Sequence, residues 1–166
     1  MEKINIGWWV LAFAILLLYA LLRNRQKPKP TDYPYIAQPA LFTPAEKRFY
    51  MILDKVLERR YLIFGKVRLA DIIKVQNNLE RGVYQGAFNR IAAKHLDYVI
   101  CRAEDLTVLG VIELDDRSHN LPHRKARDIF VDNALAAAGV PILHVKVQRY
   151  YQMGAVQQAI KDTFHI

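Results

Sequence analysis

Apolar positions along this chain fall into three regimes. From Ile4 to Leu22 they are nearly continuous, with Asn5 the one strongly polar residue. Arg23 to Leu41 holds Pro28, Pro30, Pro34 and Pro39 and little helical or alternating pattern. This stretch reads as a partly extended, semi-rigid tether. Beyond it the spacing becomes that of a folded domain. Thr43-Pro-Ala-Glu46 is a capping box with Pro at the first helical position, and Phe49, Ile52, Leu53, Val56 and Leu57 follow on one helical face. Tyr61–Val67 reads as a strand, while Leu69, Ile72, Ile73 and Val75 within 68–80 fit no single period. Gln85–His95 reads as a short helix with Phe88, Ile91 and Ala92 inward. Two apolar strands follow, Leu96–Cys101 and Val108–Asp115. A helix over His123–Ala138 ends at Gly139, a good residue for the left-handed cap. Val140–Val147 is a further strand and Ala155–Phe164 a closing helix. The order describes a mixed sheet flanked by helices, with the long helix crossing over to the last strand.

The nineteen residues 4–22 at about 1.5 Å rise span about 28 Å, near the hydrocarbon thickness of a bilayer. Trp8, Trp9 and Tyr19 stand near the two ends, as interfacial aromatics do. Residues 4–22 are therefore expected to contact a lipid bilayer as one transmembrane helix (domain 1–22). A basic Pro-rich linker (23–41) and the folded domain (42–166) come after it. Arg23, Arg25, Lys27 and Lys29 follow the apolar run and only Lys3 precedes it. The positive-inside rule then places the N-terminus outside and the domain in the cytoplasm, on the inner membrane. A cleaved signal peptide needs the basic cluster before the run and small residues after it, and fits less well.

Charge adds little. The net charge is +8, and residues 1–30, with five basic residues against Glu2, account for half of it. The domain is mildly basic, which permits a polyanionic partner without demanding one. Cys101 is the only cysteine, so the chain can form no internal disulfide or thiolate metal cluster, and its place in an apolar strand marks a buried structural thiol.

Candidate chemistry concentrates in the acids that end the apolar strands. In an extended Val108–Asp115, Val111, Glu113 and Asp115 share a face. A hairpin with its turn centred on Asp105 sets Asp97 opposite Glu113. Three carboxylates then converge, an oxygen-rich set of the kind Mg²⁺ or Mn²⁺ takes. Each acid alone is better read as a strand start or solvated turn; it is their order after two apolar strands that points to a metal site. His119, with an intrinsic pKa near neutrality, is a candidate acid or base. Arg124, Lys125 and Arg127 are candidate phosphate contacts, against the plainer reading of a solvated helix face with pairing to Asp128 or Asp132. Arg68, Lys74, Arg81 and Arg90 read as surface charge, and His95, His123, His144 and His165 show no ligand spacing.

Phe88-Asn-Arg-Ile-Ala-Ala-Lys-His-Leu-Asp-Tyr-Val-Ile100 and Ile112-Glu-Leu-Asp-Asp-Arg-Ser-His119 resemble a bacterial domain family of unknown function. Its members often carry an N-terminal membrane anchor. The family is related to the restriction-endonuclease-like PD-(D/E)XK superfamily and similar to very-short-patch repair endonuclease-like domains. Arg127-Asp128 and the strand after Gly139 continue the resemblance, which covers about residues 42–147. It implies an α-β-β-β-α-β core preceded by the transmembrane helix, and metal-dependent cleavage of DNA or RNA. Asp97, Glu113 and the Leu114 carbonyl are then metal ligands, with Asp115 beside them. Asp115 stands where the superfamily has lysine, and Lys94, three residues before Asp97, is a candidate for that charge. Two other readings stay open: a non-catalytic nuclease-fold module that docks nucleic acid or protein, and a plain protein-interaction domain.

Overall fold

The computed structural model describes residues 6–25, 33–116 and 122–166. The chain divides into two units, residues 1–39 and residues 40–166.

In the first unit Ile6–Arg25 forms helix α1. Among the described residues no helix is long and apolar enough to cross a membrane, which corrects the expected transmembrane helix. From Ile6 the apolar run reaches only Leu22 before Arg23-Asn24-Arg25 closes the helix. Seventeen residues give about 25 Å, short of the ~30 Å of a hydrocarbon core. Ile4 and Asn5 lie outside the described residues.

The second unit is mixed α/β. Its elements are α2 (Pro44–Leu57), β1 (Tyr61–Arg68), α3 (Leu69–Ile72), α4 (Arg81–Ala92), β2 (His95–Arg102), β3 (Val108–Asp115), α5 (Pro122–Ala137), β4 (Ile142–Lys146) and α6 (Met153–Phe164). A turn of 3₁₀ helix over Glu58–Arg60 joins α2 to β1. The capping box that starts α2 is complete: the Thr43 N–H donates to Glu46 Oε2 at 2.8 Å and the Glu46 N–H donates to Thr43 Oγ1 at 3.3 Å. At the end of α5, Gly139 takes φ +71°, a conformation that carries little strain only without a Cβ.

The four strands lie in the order β1-β2-β3-β4. The first three are antiparallel, and α5 returns the chain so that β4 runs parallel to β3. Each face of the sheet buries its own core. On one, Phe49, Leu53, Val56 and Leu57 of α2 and Val156, Ile160 and Phe164 of α6 cover Tyr98, Ile100, Ile112 and Leu114. On the other, Leu69, Ile91, Val131 and Leu135 from α3, α4 and α5 cover Val99, Cys101 and Val111. A strand covered on both sides loses its alternation, which is why β2 and β3 read as continuous apolar runs. Two expectations shift: α4 begins at Arg81, ahead of Gln85, and Phe88 is 39 % exposed on its outer side.

The β2–β3 hairpin sets up the site. Its register changes between Ile100 and Cys101, where Cys101 pairs with Val108, and Leu106 takes φ +60° in the turn. Below this bulge the offset is that of a turn centred on Asp105: Ile100 faces Gly110, Val99 faces Val111 and Tyr98 faces Ile112.

Candidate metal and phosphate site

One more step along that register brings Asp97 to Glu113. The Asp97 N–H donates to Glu113 Oε1 at 3.2 Å, and the Leu114 N–H donates to Asp97 Oδ2 at 3.0 Å. The row continues across the sheet. Gly65 pairs with Tyr98 and Val67 with Leu96, so Lys66 on β1 stands opposite Asp97, while Glu113 pairs with His144 on β4. One transverse row therefore carries Lys66, Asp97, Glu113 and His144, one from each strand. All four line a single cavity of about 250 Å³, whose wall also holds Lys94, Asp115, Arg127, Asp128 and Asp132.

Glu113 is the one charged side chain buried among the described residues. Burial, and then the charge of Asp97, push its pKa up to about 8, although Arg127 and His144 pull the other way. A cation held beside both carboxyl groups would offset this repulsion and favour the ionised form of Glu113.

Lys66 supplies part of that charge. Its Nζ reaches Glu46 Oε1 at 2.5 Å and Asp97 Oδ1 at 3.1 Å. Burial opposes the ammonium, but the hydrogen bond to Glu46 and the charge of Asp97 outweigh it and raise the pKa. Lys66 also sits at φ +58°, a backbone state costing on the order of 1–2 kcal/mol for a residue with a Cβ. Burial likewise opposes the Glu46 carboxylate, yet Lys66 and the cap at Thr43 hold its pKa below the ordinary value. The start of α2 is thus wired through Glu46 and Lys66 to Asp97.

At the other end of the row His144 lies between two acids, with Nδ1 3.1 Å from Asp115 Oδ1 and Nε2 3.1 Å from Asp132 Oδ1. Burial disfavours the imidazolium, but Asp115 and then Asp132 outweigh this and raise the pKa.

The residues singled out from the sequence separate here. Asp97 and Glu113 meet. Asp115 lines the same cavity but is bonded to His144. Leu114 reaches Asp97 through its N–H. Lys94 lines the cavity, yet its Nζ donates to the Arg90 carbonyl at 2.7 Å, so the cation holding Asp97 is Lys66. Arg127 lines the cavity and pairs with Asp128 at 3.3 Å. His119 lies outside the described residues, as do the side chains of Arg124 and Lys125 on α5. Glu46, Lys66 and His144 were missed. None of the three left a signal of this role: His144 enters the row of Glu113 only through the parallel register of β4.

Among the described residues no group of three or more His, Cys, Asp or Glu side chains is arranged to hold a metal ion. That disfavours a closed cage of the zinc type. Mg²⁺ is less demanding: it keeps several waters and takes one or two carboxylates together with substrate phosphates. Asp97 with the buried Glu113 fits that donor set.

Residues 38–164 match the family model described as a protein of unknown function (DUF2726). The chain belongs to that family. No curated protein and no solved structure matches it. The matched span of the DUF2726 chain includes α2 to α6 and hence every residue of the transverse row.

Proposed function

We propose that this DUF2726 domain is a divalent-cation-dependent phosphodiesterase of the restriction-endonuclease-like PD-(D/E)XK kind, acting on DNA or RNA. The observation that carries the reading is the opposition of Asp97 and Glu113 on adjacent strands. It is supported by the cations of the cavity wall, Lys66, Lys94 and Arg127. Acids on the floor and cations around them suit a phosphodiester, whose own charge must be balanced while a water attacks it.

Asp97 and Glu113 would hold Mg²⁺ or Mn²⁺, which when bound supplies a water of lowered pKa and neutralises charge developing on phosphorus oxygens. The rest falls to the chain. Lys66 takes over the role of the lysine absent two residues after Glu113. Its ammonium has three donors and two acceptors among the described residues, leaving one for a water or phosphoryl oxygen in the cavity. Glu46 fixes where that ammonium sits. Arg127, 53 % exposed at its side chain, can leave Asp128 for a phosphate with little loss.

The full chain is to be incubated with labelled single- and double-stranded oligonucleotides and Mg²⁺ or Mn²⁺. Cleavage that disappears in Asp97→Asn and in Glu113→Gln is the expected result. Cleavage surviving both substitutions, or none under any of these conditions, removes the reading.

One observation favours a second reading. Both oxygens of Asp97 already have protein donors, Lys66 Nζ and the Leu114 N–H. An ion pair closed in this way suits a nuclease fold kept only to dock nucleic acid. Salt-dependent binding that ignores Mg²⁺ and is never followed by cleavage distinguishes it.

A further inference from the structure

Among the described residues, two cations near the cavity have no carboxylate partner. Arg90, in the last turn of α4, places its guanidinium carbon 4.2 Å from the centre of the Phe130 ring. Lys94, two residues beyond that helix, places Nζ 4.9 Å from the same ring. The Lys94 ammonium also donates to the Arg90 backbone carbonyl at 2.7 Å, which ties it to the end of α4. Among the described residues neither side chain forms an ion pair. The other two cations lining the cavity, Lys66 and Arg127, each have an acid within 3.3 Å.

Gathering two like charges on one ring is unfavourable by their mutual repulsion, and the ring offsets it only in part. An anion lying across both cations removes the repulsion. Lys94 is itself a wall of the catalytic cavity, so that anion adjoins whatever group lies above Asp97 and Glu113.

We infer that Arg90 and Lys94, stacked on Phe130, form a phosphate clamp for the nucleic-acid strand that the cavity acts on, gripping a backbone phosphate next to the one cleaved. This rests on the phosphodiesterase reading and adds to it a binding subsite, a register and a mode of recognition. Phe130 acts here as a support for the two cations rather than as a base-stacking platform. The contacts are to sugar–phosphate, so the clamp grips without reading sequence. Lys94 accordingly belongs to substrate binding, and its loss acts on KM.

The test is equilibrium binding of the full chain to two labelled oligonucleotides of unrelated sequence, in EDTA and across a salt series, so that nothing depends on cleavage. Arg90→Met and Lys94→Met should each weaken binding about 5- to 10-fold, equally for both sequences. Each should lower the slope of log affinity against log salt by about 0.7–0.9, the value of one phosphate contact. Arg90→Lys should keep the slope. Far-ultraviolet circular dichroism checks that the variants fold. Unchanged affinity and slope in the double variant overturn the clamp, and if that variant still cleaves, the catalytic reading stands without it. Reduced slopes in a protein that never cleaves leave the clamp standing and remove catalysis. Loss of affinity for one sequence only overturns the backbone contact. Polyglutamate of equal charge displacing the oligonucleotide as well as nucleic acid does, in an Arg90- and Lys94-dependent way, overturns it in favour of an acidic protein partner.

Discussion

The Asp97 N–H donates to Glu113 Oε1 at 3.2 Å across the β2–β3 hairpin, so the carboxyl groups of two neighbouring strands face one cavity. Glu113 bears the cost of this closeness, with burial and the charge of Asp97 pushing its pKa to about 8.

That shift has a sign in stability. An unfolded Glu113 releases its proton near 4.5, whereas the folded one keeps it to about 8. The folded state therefore binds more protons through this interval, and its stability falls as pH rises across it. In EDTA, urea unfolding should give a stability lower at about pH 9 than at about pH 6 by a few kcal/mol. Glu113→Gln should flatten that dependence. A wild-type and a variant curve that run parallel contradict the shift.

On the phosphodiesterase reading, Lys66 and Lys94 would divide two roles between them. Lys66→Met should lower kcat by roughly 10²–10³, the usual loss for one charge-stabilising donor. Lys94→Met should leave kcat within about 3-fold and raise KM, as loss of uniform binding does. Steady-state kinetics on one oligonucleotide separates them, and the reverse pattern would return Lys94 to the chemistry.

Glu46 couples the cap of α2 to Lys66. Glu46→Gln retains the size of the side chain and removes the charge that Lys66 binds. Stability should fall by about 1 kcal/mol for cap and ion pair together. Cleavage should fall with it at saturating substrate, and a variant that loses stability alone shows Glu46 to be only a cap.

His144 is held in its protonated form by two neighbouring acids. Asp115 and Asp132 raise its pKa, so the stabilisation is fully present below the unfolded value of about 6.5 and is lost as pH rises through the folded one. All three side chains are about a third exposed or more, which keeps the effect well under 1 kcal/mol. Proton resonances of the His144 ring, followed in metal-free protein, should titrate above the ordinary value of an unperturbed imidazole. Asp132→Asn should move them down.

A substitution beside Lys66 tests how tightly β1 is held. A Cβ added at Gly65 runs into the Phe42 ring, which also packs on Tyr98 at 5.6 Å between centroids. Gly65→Ala should destabilise the domain by about 1–3 kcal/mol, measured by thermal unfolding, as overpacking does.

Much of this was legible in the chain because it depends on local periodicity. The capping box at Thr43, the two-sided burial of β2 and β3, and the hairpin offset that brings Asp97 to Glu113 all follow from patterns within a few residues. The bulge at Cys101 alters only the turn end of the hairpin, so the offset lower down is unaffected. What was not legible depends on the edges of the sheet. Lys66 reaches Asp97 from a left-handed backbone position that no period of 2 foretells. Glu46 looked like a helix cap and is one; its second oxygen acts in tertiary structure. His144 needed the parallel register of β4. The apolar N-terminal run misled in another way, because a count from Ile4 overstates the apolar length that α1 holds between Ile6 and Leu22.

Calorimetric titration of Mg²⁺ or Mn²⁺ into the full chain addresses the central claim, that Asp97 and Glu113 grip a divalent cation. At about pH 7 Glu113 must give up its proton for the metal to bind, so the observed heat should vary with the ionisation enthalpy of the buffer. Asp97→Asn should weaken binding at least 10-fold, and Glu113→Gln should in addition abolish the proton release. Binding of equal strength in all three proteins, or no saturable binding in the wild type, would contradict the claim.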